Sequence, residues 1–321
     1  MAAGASRRIA ALGECMVELV DQGDGSMRRG FGGDTLNTSV YLSRLGVPVD
    51  YVTALGDDPY SEEMLASWRA EGVGTGHVAR VPGALPGLYA IRTYADGERS
   101  FAYWRWSAPV RTMIRDGHLD AFARRLADFG GLYLSGITLS LFDDAQRDRL
   151  FELAQEARRA GLTVAFDTNH RPRCWESLEA ARAAYDRMAG IADTVLPSLD
   201  DCRAVYADAD ARAAAERFAG LGAATVIVKC GAEGAGVWSD GTWRTLAPER
   251  AVRTVDTTAA GDSFNAGFLA ARLQGADAFA AAAAGNRVAG RVVGHPGAIV
   301  PKPAFDDLTL LDPEPSGGGK A

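Results

Sequence analysis

The segment TTAAGDSF, residues 257–264, places small side chains and one carboxylate directly before a helix-forming stretch. The first amides of a helix have no internal acceptor and carry partial positive charge, so they attract anions. Ala259, Ala260 and Gly261 leave these amides open to a phosphate. Asp262 follows in the first turn, either as a plain complement to the helix dipole, which contributes about 0.3–1 kcal/mol, or as a reactive group beside the anion. In both cases we expect the dipole to lower the pKa of this carboxyl group.

A second segment, GFGGDTLNTSVYLSRLG (30–46), also has paired glycines before a helical pattern. We predict Asp34 as its N-cap and Gly46 as its C-terminal stop. Asn37 lies on the same side of the first turn, so the two polar side chains could offer an acceptor and an amide to a polyol. Gly32 and Gly33 would let a ligand touch the backbone. Simple capping is the alternative interpretation.

These two segments belong to a chain in which short apolar strands alternate with helical patterns. The predicted strands are RIAALGE, VDYVTALG, GLYLSGI, LTVAFDTN, DTVLPSL and TVIVKCG. Segments with apolar residues three and four apart lie between several of them, such as the one that ends at Gly161. This alternation predicts an α/β fold with a mostly parallel sheet covered by helices on both faces.

Two regions, about 15–33 and 86–108, interrupt this rhythm with paired β patterns, and we interpret them as a small β-flap. The second of them has the hairpin-forming dipeptide Asp96-Gly97, and a further hairpin is predicted around Asp240-Gly241. The tail, residues 311–321, is rich in proline and glycine, and we expect it to be disordered.

The composition excludes several classes of protein. The chain has 321 residues, is 47% hydrophobic and has a net charge of −7, which argues against nucleic-acid and anionic-membrane partners. The four cysteines are scattered without a CxxC pair, so we expect buried free thiols and no zinc site. Glu14 and Glu18 interrupt the first apolar run, which therefore reads as a strand and not as a signal peptide. We expect a cytoplasmic protein with no membrane span.

Taken together, GGDTLNTS and DTTAAGDSFNAGF resemble the two signatures of the ribokinase-like (PfkB-type) carbohydrate kinases. VTALGDDPY, YLSGI, FDTNHRP and IVKCGAEGA occur in the family's order, so the resemblance covers nearly the whole chain. Within the family, GECMVEL and LPGLYAIRT are most similar to the 2-keto-3-deoxygluconate kinases. The resemblance implies one domain, residues 1–310, with a three-layer α/β/α fold and the flap as a lid.

The resemblance also implies an activity, which is transfer of the γ-phosphoryl group of ATP to the 6-hydroxyl of 2-keto-3-deoxy-D-gluconate. Asp262 would accept the hydroxyl proton, and the amides of Ala259, Ala260, Gly261 and Asp262 would stabilise charge on the phosphoryl group. A lowered pKa would be tolerable, because in a loose transition state orienting the hydroxyl matters more than basicity. ATP, Mg²⁺ and K⁺ are the implied cofactors.

For the substrate, the resemblance implies that Arg105 and Arg171 hold the sugar's carboxylate, since a neutral sugar needs no guanidinium group. Tyr89 and Tyr103 would donate hydrogen bonds from the flap. The remaining implied substrate-binding residues are Gly32, Gly33, Asp34, Asn37 and Asp262.

For the nucleotide, the resemblance implies contacts from Asn169, Ser198, Lys229, Gly231, Gly234, Ala260, Gly261 and Asn286. Ser198 and Asp201 stand where many relatives carry an Asn-x-x-Glu that organises Mg²⁺ and phosphate, so Asp201 is the candidate magnesium ligand. Asp256 and Thr257 are candidates for a monovalent-cation site.

Three alternatives stay open at this point. One is a kinase of a related sugar, namely 2-keto-3-deoxygalactonate, 2-keto-gluconate, fructose or ribose; another is a sugar-binding protein without catalysis. A dinucleotide-dependent dehydrogenase is disfavoured, because no GxGxxG follows the first strand. Trp104 and Trp106 on the predicted flap, together with its free strand edges, favour a homo-oligomer, a dimer or larger.

Overall fold

The computed structural model describes residues 8–94, 99–248 and 253–311. Its strands are β1 Ile9–Leu12, β2 Met16–Asp21, β3 Met27–Gly32, β4 Val49–Leu55, β5 Gly74–Arg80, β6 Leu88–Thr93, β7 Arg99–Trp104, β8 Gly131–Ser135, β9 Thr163–Asp167, β10 Thr194–Val195, β11 Thr225–Lys229, β12 Ala235–Ser239 and β13 Thr242–Leu246. Its α-helices are α1 Asp34–Arg44, α2 Pro59–Ala70, α3 His118–Ala123, α4 Gly136–Ser140, α5 Asp144–Arg159, α6 Leu178–Ala189, α7 Leu199–Tyr206, α8 Ala211–Leu221, α9 Ala260–Leu273 and α10 Ala278–Val293.

A nine-stranded sheet forms the centre, in the order β13-β12-β11-β10-β9-β8-β1-β4-β5. The seven strands β11, β10, β9, β8, β1, β4 and β5 pair in parallel with their neighbours. The hairpin β12–β13 extends the sheet beyond β11 in antiparallel pairing. This is the predicted fold class. Crossover helices cover both faces of such a sheet. Because its strands run in parallel, their carboxyl ends and the loops that follow them lie at the same edge.

Strand β1 shows how the two cores are separated. Ala10 and Leu12 face a core that includes side chains of α3, α5, α6 and α8, whereas Ile9 and Ala11 face a core that includes side chains of α1, α2, α9 and α10. Successive side chains of a strand point to opposite faces, so an apolar run without alternation is what a sheet covered on both sides requires. Both helices that begin with the candidate chemistry, α1 and α9, therefore lie on the same face.

A second, four-stranded sheet, called the flap sheet below, has the order β3-β2-β6-β7. Its central pair β2–β6 is parallel, and the outer pairs are antiparallel. Tyr89, Phe101 and Tyr103 stack on one another within it, with ring centroids 6.0–6.4 Å apart. Trp104 just at its end is 61% exposed. The predicted turn Asp96-Gly97 lies outside the described residues.

Helix ends follow the predicted signals with one exception. Gly46 and Gly161 follow α1 and α5 with φ of +77° and +88°, a conformation that stops a helix at little cost only with glycine. Asp34, however, is the first helical residue and not the N-cap. The cap position is Gly33, and no side chain caps this helix.

All four thiols are free, as expected, but burial separates them into two pairs. Cys15 and Cys202 are buried, whereas Cys174 and Cys230 are half-buried, so the prediction of four buried thiols is wrong for the second pair. Across the described ranges, no helix has the length and apolar character that crossing a bilayer demands. The tail from residue 312 onward, which belongs to the segment expected to be disordered, lies outside the described residues.

Candidate active site

The N-termini of α1 and α9 meet, although their residues are far apart in the chain. Asn37 Nδ2 donates to Asp262 Oδ2 at 2.9 Å, across 225 positions of sequence. Thr38 Oγ1 donates to the Asp262 carbonyl at 3.1 Å, so backbone and side chain of Asp262 are both held by α1. The structure therefore brings together the two glycine-containing segments that the sequence singled out.

A third element joins them at the end of β9. Asn169 Nδ2 donates to Asp34 Oδ2 at 2.8 Å, and Asp34 is 8% exposed. Asn169 has a φ of +30°, which is unfavourable for a residue with a side chain and persists only where neighbours enforce it. Here the hydrogen bond to the Asp34 carboxylate helps to hold Asn169 in this conformation. Such enforced strain is typical of functional sites.

The pKa of Asp262 is raised to about 7, so the expectation of a lowered pKa is wrong. Burial is the largest cause, and the nearby Asp34 and Asp167 carboxylates add to it. The Asn37 hydrogen bond and the Lys229 charge oppose the shift without cancelling it. Desolvation outweighs the helix dipole because the dipole contributes only about 0.3–1 kcal/mol. The result is a carboxyl group that changes charge near neutrality.

The start of α9 offers unpaired donors next to this carboxyl group. Ala259 adopts the left-handed conformation, with a φ of +59°, and turns the chain into the helix. Within the described residues, no backbone carbonyl accepts from the amides of Gly261 or Asp262. Lys229 Nζ lies 3.5 Å from where a Cβ on Gly261 would be. Amides and ammonium together make a site for an anion, and a side chain at residue 261 would narrow it.

Lys229 itself is held in place by a buried network. Its Nζ contacts Asp167 Oδ2 at 2.8 Å and Asn265 Oδ1 at 3.2 Å. Asn265 Nδ2 in turn donates to Asp167 Oδ2 at 2.6 Å and to the Tyr133 hydroxyl at 3.0 Å. A buried carboxylate with charged and amide partners fixes the lysine's direction.

A cavity of about 490 Å³ opens beside the start of α9, between the ends of β9 and β11 and the start of α7. Eleven predicted site residues line it: Asn169, Arg171, Ser198, Asp201, Lys229, Gly231, Thr257, Ala259, Ala260, Gly261 and Asp262. Gly234, Asp256 and Asn286 are not among its lining residues. Asn286 Nδ2 donates to the Leu246 carbonyl at 3.2 Å, and Asp256 accepts from the amides of Thr258 and Gly297.

Ser198 and Asp201 have local structural partners in addition to facing the cavity. Ser198 is the N-cap of α7 and accepts from the Asp201 amide at 3.0 Å. Asp201 Oδ2 accepts from Thr168 Oγ1 at 2.8 Å and from the His170 amide at 3.2 Å. In the part of the chain that the structure describes, no three His, Cys, Asp or Glu side chains come together as metal ligands.

On the flap side, the paired glycines lie tightly against other atoms of the protein. A Cβ on Gly32 would lie 2.0 Å from the Tyr89 hydroxyl oxygen, and one on Gly33 would lie 2.2 Å from the Glu14 carbonyl. The space is therefore filled by the protein's own atoms. The Tyr89 hydroxyl also donates to Glu18 at 2.6 Å, which fixes its position.

The two arginines of interest differ in environment. Arg105 is 4% exposed and forms an ion pair with Glu14, which is equally buried. Burial raises the pKa of Glu14, and the Arg105 charge opposes the rise. Arg171 is exposed, lines the cavity and donates to the His170 carbonyl at 2.9 Å. Burial raises the pKa of Tyr103, and the Arg171 and Arg105 charges oppose the rise. The Arg105 guanidinium carbon lies 6.0 Å from the centre of the Tyr103 ring.

Sequence reasoning missed several residues that hold this site in place: Glu14, Glu18, Thr38, Asp167 and Asn265. Asp167 had an available signal, because it ends a predicted strand at the edge where parallel sheets carry their sites. Glu14 follows β1 in the same way. The other three were not detectable, since their partners lie in distant segments.

Comparison with known proteins agrees with this geometry. Residues 6–304 match the pfkB family carbohydrate kinase profile. A Dickeya dadantii (strain 3937) protein named 2-dehydro-3-deoxygluconokinase is 43% identical over 307 residues, which cover 94% of this chain and 99% of that protein. An Escherichia coli (strain K12) protein of the same name is 42% identical over the same shares of both chains. The structure of a fructokinase with bound ATP from Xylella fastidiosa has a TM-score of 0.80 at 25% identity, over 93% of this chain and 95% of that one.

The profile spans most of the chain, and two relatives exceed 40% identity over nearly their full length. The meeting helix starts place the Asp262 carboxyl group beside amides that have no backbone acceptor among the described residues. The resemblance drawn from the motifs is confirmed: this chain belongs to the pfkB family of carbohydrate kinases.

Proposed function

We propose that this kinase transfers a phosphoryl group from ATP to the 6-hydroxyl of 2-keto-3-deoxy-D-gluconate, giving 2-keto-3-deoxy-6-phosphogluconate. The names of the Dickeya and Escherichia relatives support this substrate. The observation that carries the proposal is the position of Asp262. Its carboxyl group accepts a hydrogen bond from Asn37 and lines the cavity together with Gly261 and Lys229.

In this arrangement Asp262 accepts the proton of the attacking hydroxyl. A general base works best when its pKa is close to the operating pH, and a pKa of about 7 meets that condition. The amides at the start of α9 and the Lys229 ammonium stabilise the charge that develops on the transferred group. Because catalysis of phosphoryl transfer depends on positioning and charge, the network that fixes Lys229 is part of the machinery.

The substrate's acid end is placed between Arg105 and Arg171. Guanidinium groups pair with carboxylates through two parallel hydrogen bonds, an interaction that a neutral sugar cannot provide. Tyr89 and Tyr103 face this region from the flap sheet and supply hydroxyl groups for the sugar. Asp34 and Asn37 complete the polar wall at the start of α1.

The cavity of about 490 Å³ is the proposed place of the nucleotide. The ATP-bound fructokinase neighbour supports ATP as donor. Asp201 faces the cavity and would supply one carboxylate to Mg²⁺, which neutralises phosphate charge when bound. Asp256 and Thr257 remain the proposed border of a K⁺ site, and Gly234 and Asn286 the outer edge of the nucleotide site. Dependence on ATP supports a cytoplasmic location.

The exposed Trp104 and Trp106, which are 61% and 67% accessible at the end of the flap sheet, support a homo-oligomer. Large apolar side chains at a sheet edge are typical of protein–protein contacts. We propose residues 1–310 as the single kinase domain of each copy.

The test is an ATP-coupled kinase assay over 2-keto-3-deoxygluconate, its galactonate epimer, 2-keto-gluconate, fructose and ribose, with native enzyme and Arg171→Ala. Loss of a charge-assisted contact should raise KM for the sugar acid about 10- to 100-fold. Any slow turnover of neutral sugars should stay unchanged. Arg212→Ala, which removes an exposed arginine paired with Glu216, is the control. Preference of the native enzyme for fructose or ribose would contradict the proposal.

A further inference from the structure

The short turn Pro172–Cys174 brings a half-buried thiol against the guanidinium group of Arg105. Arg105 Nη1 lies 3.3 Å from Cys174 Sγ. We propose that Cys174 is a covalent modification site for small electrophiles that carry a carboxylate, and that Arg105 and Arg171 recruit them. The proposal rests on the proposed sugar-acid function, because the same guanidinium groups would hold the substrate's acid end.

Arg105 is a buried cation, and not all of its N–H donors have an oxygen acceptor among the described residues. It is 4% exposed, and its ion-pair partner Glu14 occupies one side of the group. Among the described residues, Arg105 Nε has no hydrogen-bond acceptor, and Nη1 has only the Cys174 sulfur. Sulfur is a weak acceptor, and buried guanidinium donors without oxygen partners carry a desolvation cost. An incoming carboxylate would supply the missing acceptors at the position where the thiol now lies.

A second arginine, Arg171, belongs to the same turn as this sulfur. The Cys174 amide donates to the Arg171 carbonyl at 2.9 Å, so the second candidate guanidinium group belongs to the same turn. Cationic side chains concentrate anionic reagents around them.

The other three thiols lack this combination. Burial raises the pKa of Cys15 and Cys202 well above its usual range, and both are inaccessible. Cys230 is half-buried like Cys174, but burial raises its pKa and its Sγ donates to the Val228 carbonyl at 3.4 Å. Cys230 is therefore an internal control with similar burial, whose described hydrogen bond goes to a backbone carbonyl and not to a guanidinium group.

The reaction with a haloacetate shows the expected chemistry. The Cys174 thiolate attacks the methylene carbon of iodoacetate, a carbon–sulfur bond forms, iodide leaves with the bonding electron pair, and the thiol proton goes to solvent. The product carries a carboxylate on a two-bond tether beside Arg105. It would fill the place of the sugar acid and leave the nucleotide cavity open, so modification should block the sugar and not ATP.

The experiment compares iodoacetate with uncharged iodoacetamide on the native enzyme, with modified peptides quantified by mass spectrometry for each cysteine. Rates are divided by those of the same reagents with glutathione. At Cys174 the iodoacetate-to-iodoacetamide ratio should exceed the glutathione ratio at least about tenfold, since charged clefts raise encounter rates by such factors. At Cys230 it should not. In Arg171→Ala the Cys174 ratio should fall toward the glutathione value, whereas Arg212→Ala should leave it unchanged.

Activity loss provides a second readout. The native enzyme should lose activity in step with Cys174 modification, whereas the remaining activity of Cys174→Ser, whatever its level, should be insensitive to iodoacetate. A glutathione-like ratio at Cys174, or an unchanged ratio in Arg171→Ala, would overturn the proposal. The labelling does not depend on turnover. A high ratio in an enzyme inactive on the sugar acid would therefore refute only the proposed function, and a low ratio in an active one only this inference.

Discussion

Replacing Asp262 by asparagine should separate its catalytic role from its cost to stability. The change keeps the size of the side chain and can keep the contact with Asn37 after an amide flip, but it removes the proton-accepting oxygen. Loss of a general base lowers kcat by about 10²- to 10⁴-fold. At the same time the protein should become more stable at alkaline pH, because a buried charge that lies close to Asp34 and Asp167 is removed.

The size of this stabilisation follows from the pKa. An unfolded aspartate has a pKa of 3.8, and Asp262 in the folded protein has a pKa of about 7. Each unit corresponds to about 1.4 kcal/mol, so ionising Asp262 costs the folded state about 4 kcal/mol. Solvent in the cavity screens part of this charge, and we therefore expect about 2 kcal/mol.

The sign depends on pH in a defined way. Below the unfolded value both states are protonated, and Asp262 costs nothing. Between pH 3.8 and about 7 the unfolded state ionises first, so stability is progressively lost as pH rises. Above about 7 both states are ionised and the full cost is present. Native protein and Asp262→Asn should therefore differ most at pH 8 and hardly at all at pH 4.

The assay is denaturant unfolding of both proteins at pH 4, 6 and 8, together with kcat against pH. The control is Asp306→Asn, at an exposed carboxylate outside the cavity. It should change neither the free energy of unfolding nor kcat. The native kcat/KM should rise with pH and level off above about 7. An asparagine variant that keeps full turnover would refute the catalytic role, and one that gains no stability at pH 8 would refute the raised pKa.

Three further substitutions test other parts of the site. Glu14→Gln leaves the Arg105 charge buried without a counter-ion, so the free energy of unfolding should fall by about 3–5 kcal/mol in denaturant titrations. Gly33→Ala forces a methyl group against the Glu14 carbonyl oxygen, and thermal unfolding should show a clear loss of stability that Gly76→Ala, where nothing lies within 4 Å, does not share. Lys229→Met removes a charge beside the α9 amides, and kcat should fall about 100-fold in the kinase assay with the fold retained in circular dichroism.

Much of the fold was accessible from the sequence because its signals are local. Each of the six predicted strands contains a strand of the central sheet, and the turn at Asp240-Gly241 joins β12 to β13. Strand β5, Gly74–Arg80, was missed, since its glycines and histidine do not read as an apolar run. The N-cap of α1 was misassigned because Asp34 is recruited by Asn169, a partner 135 positions away.

For the candidate site, the sequence indicated which residues to consider, but not their burial, their partners or their pKa values. Small residues before Asp262 predict an anion site, which stays a prediction. Among the described residues, the Gly261 and Asp262 amides have no backbone acceptor. The pKa of Asp262 was predicted in the wrong direction, because the local helix dipole is visible in sequence whereas burial and the distant carboxylates are not. The same holds for Arg105, whose counter-ion Glu14 lies 91 positions before it (105 − 14) and is identified only by the folded structure.

The long separation between the two helix starts also bears on how the enzyme matures. Asn37 emerges from the ribosome early, and Asp262 only after about four-fifths of the chain has been made. The proposed base Asp262 is therefore absent until the chain has been synthesised as far as α9, so we expect a shorter nascent chain to hydrolyse no ATP. Fragments that are released by premature termination before α9 should therefore have no ATPase activity.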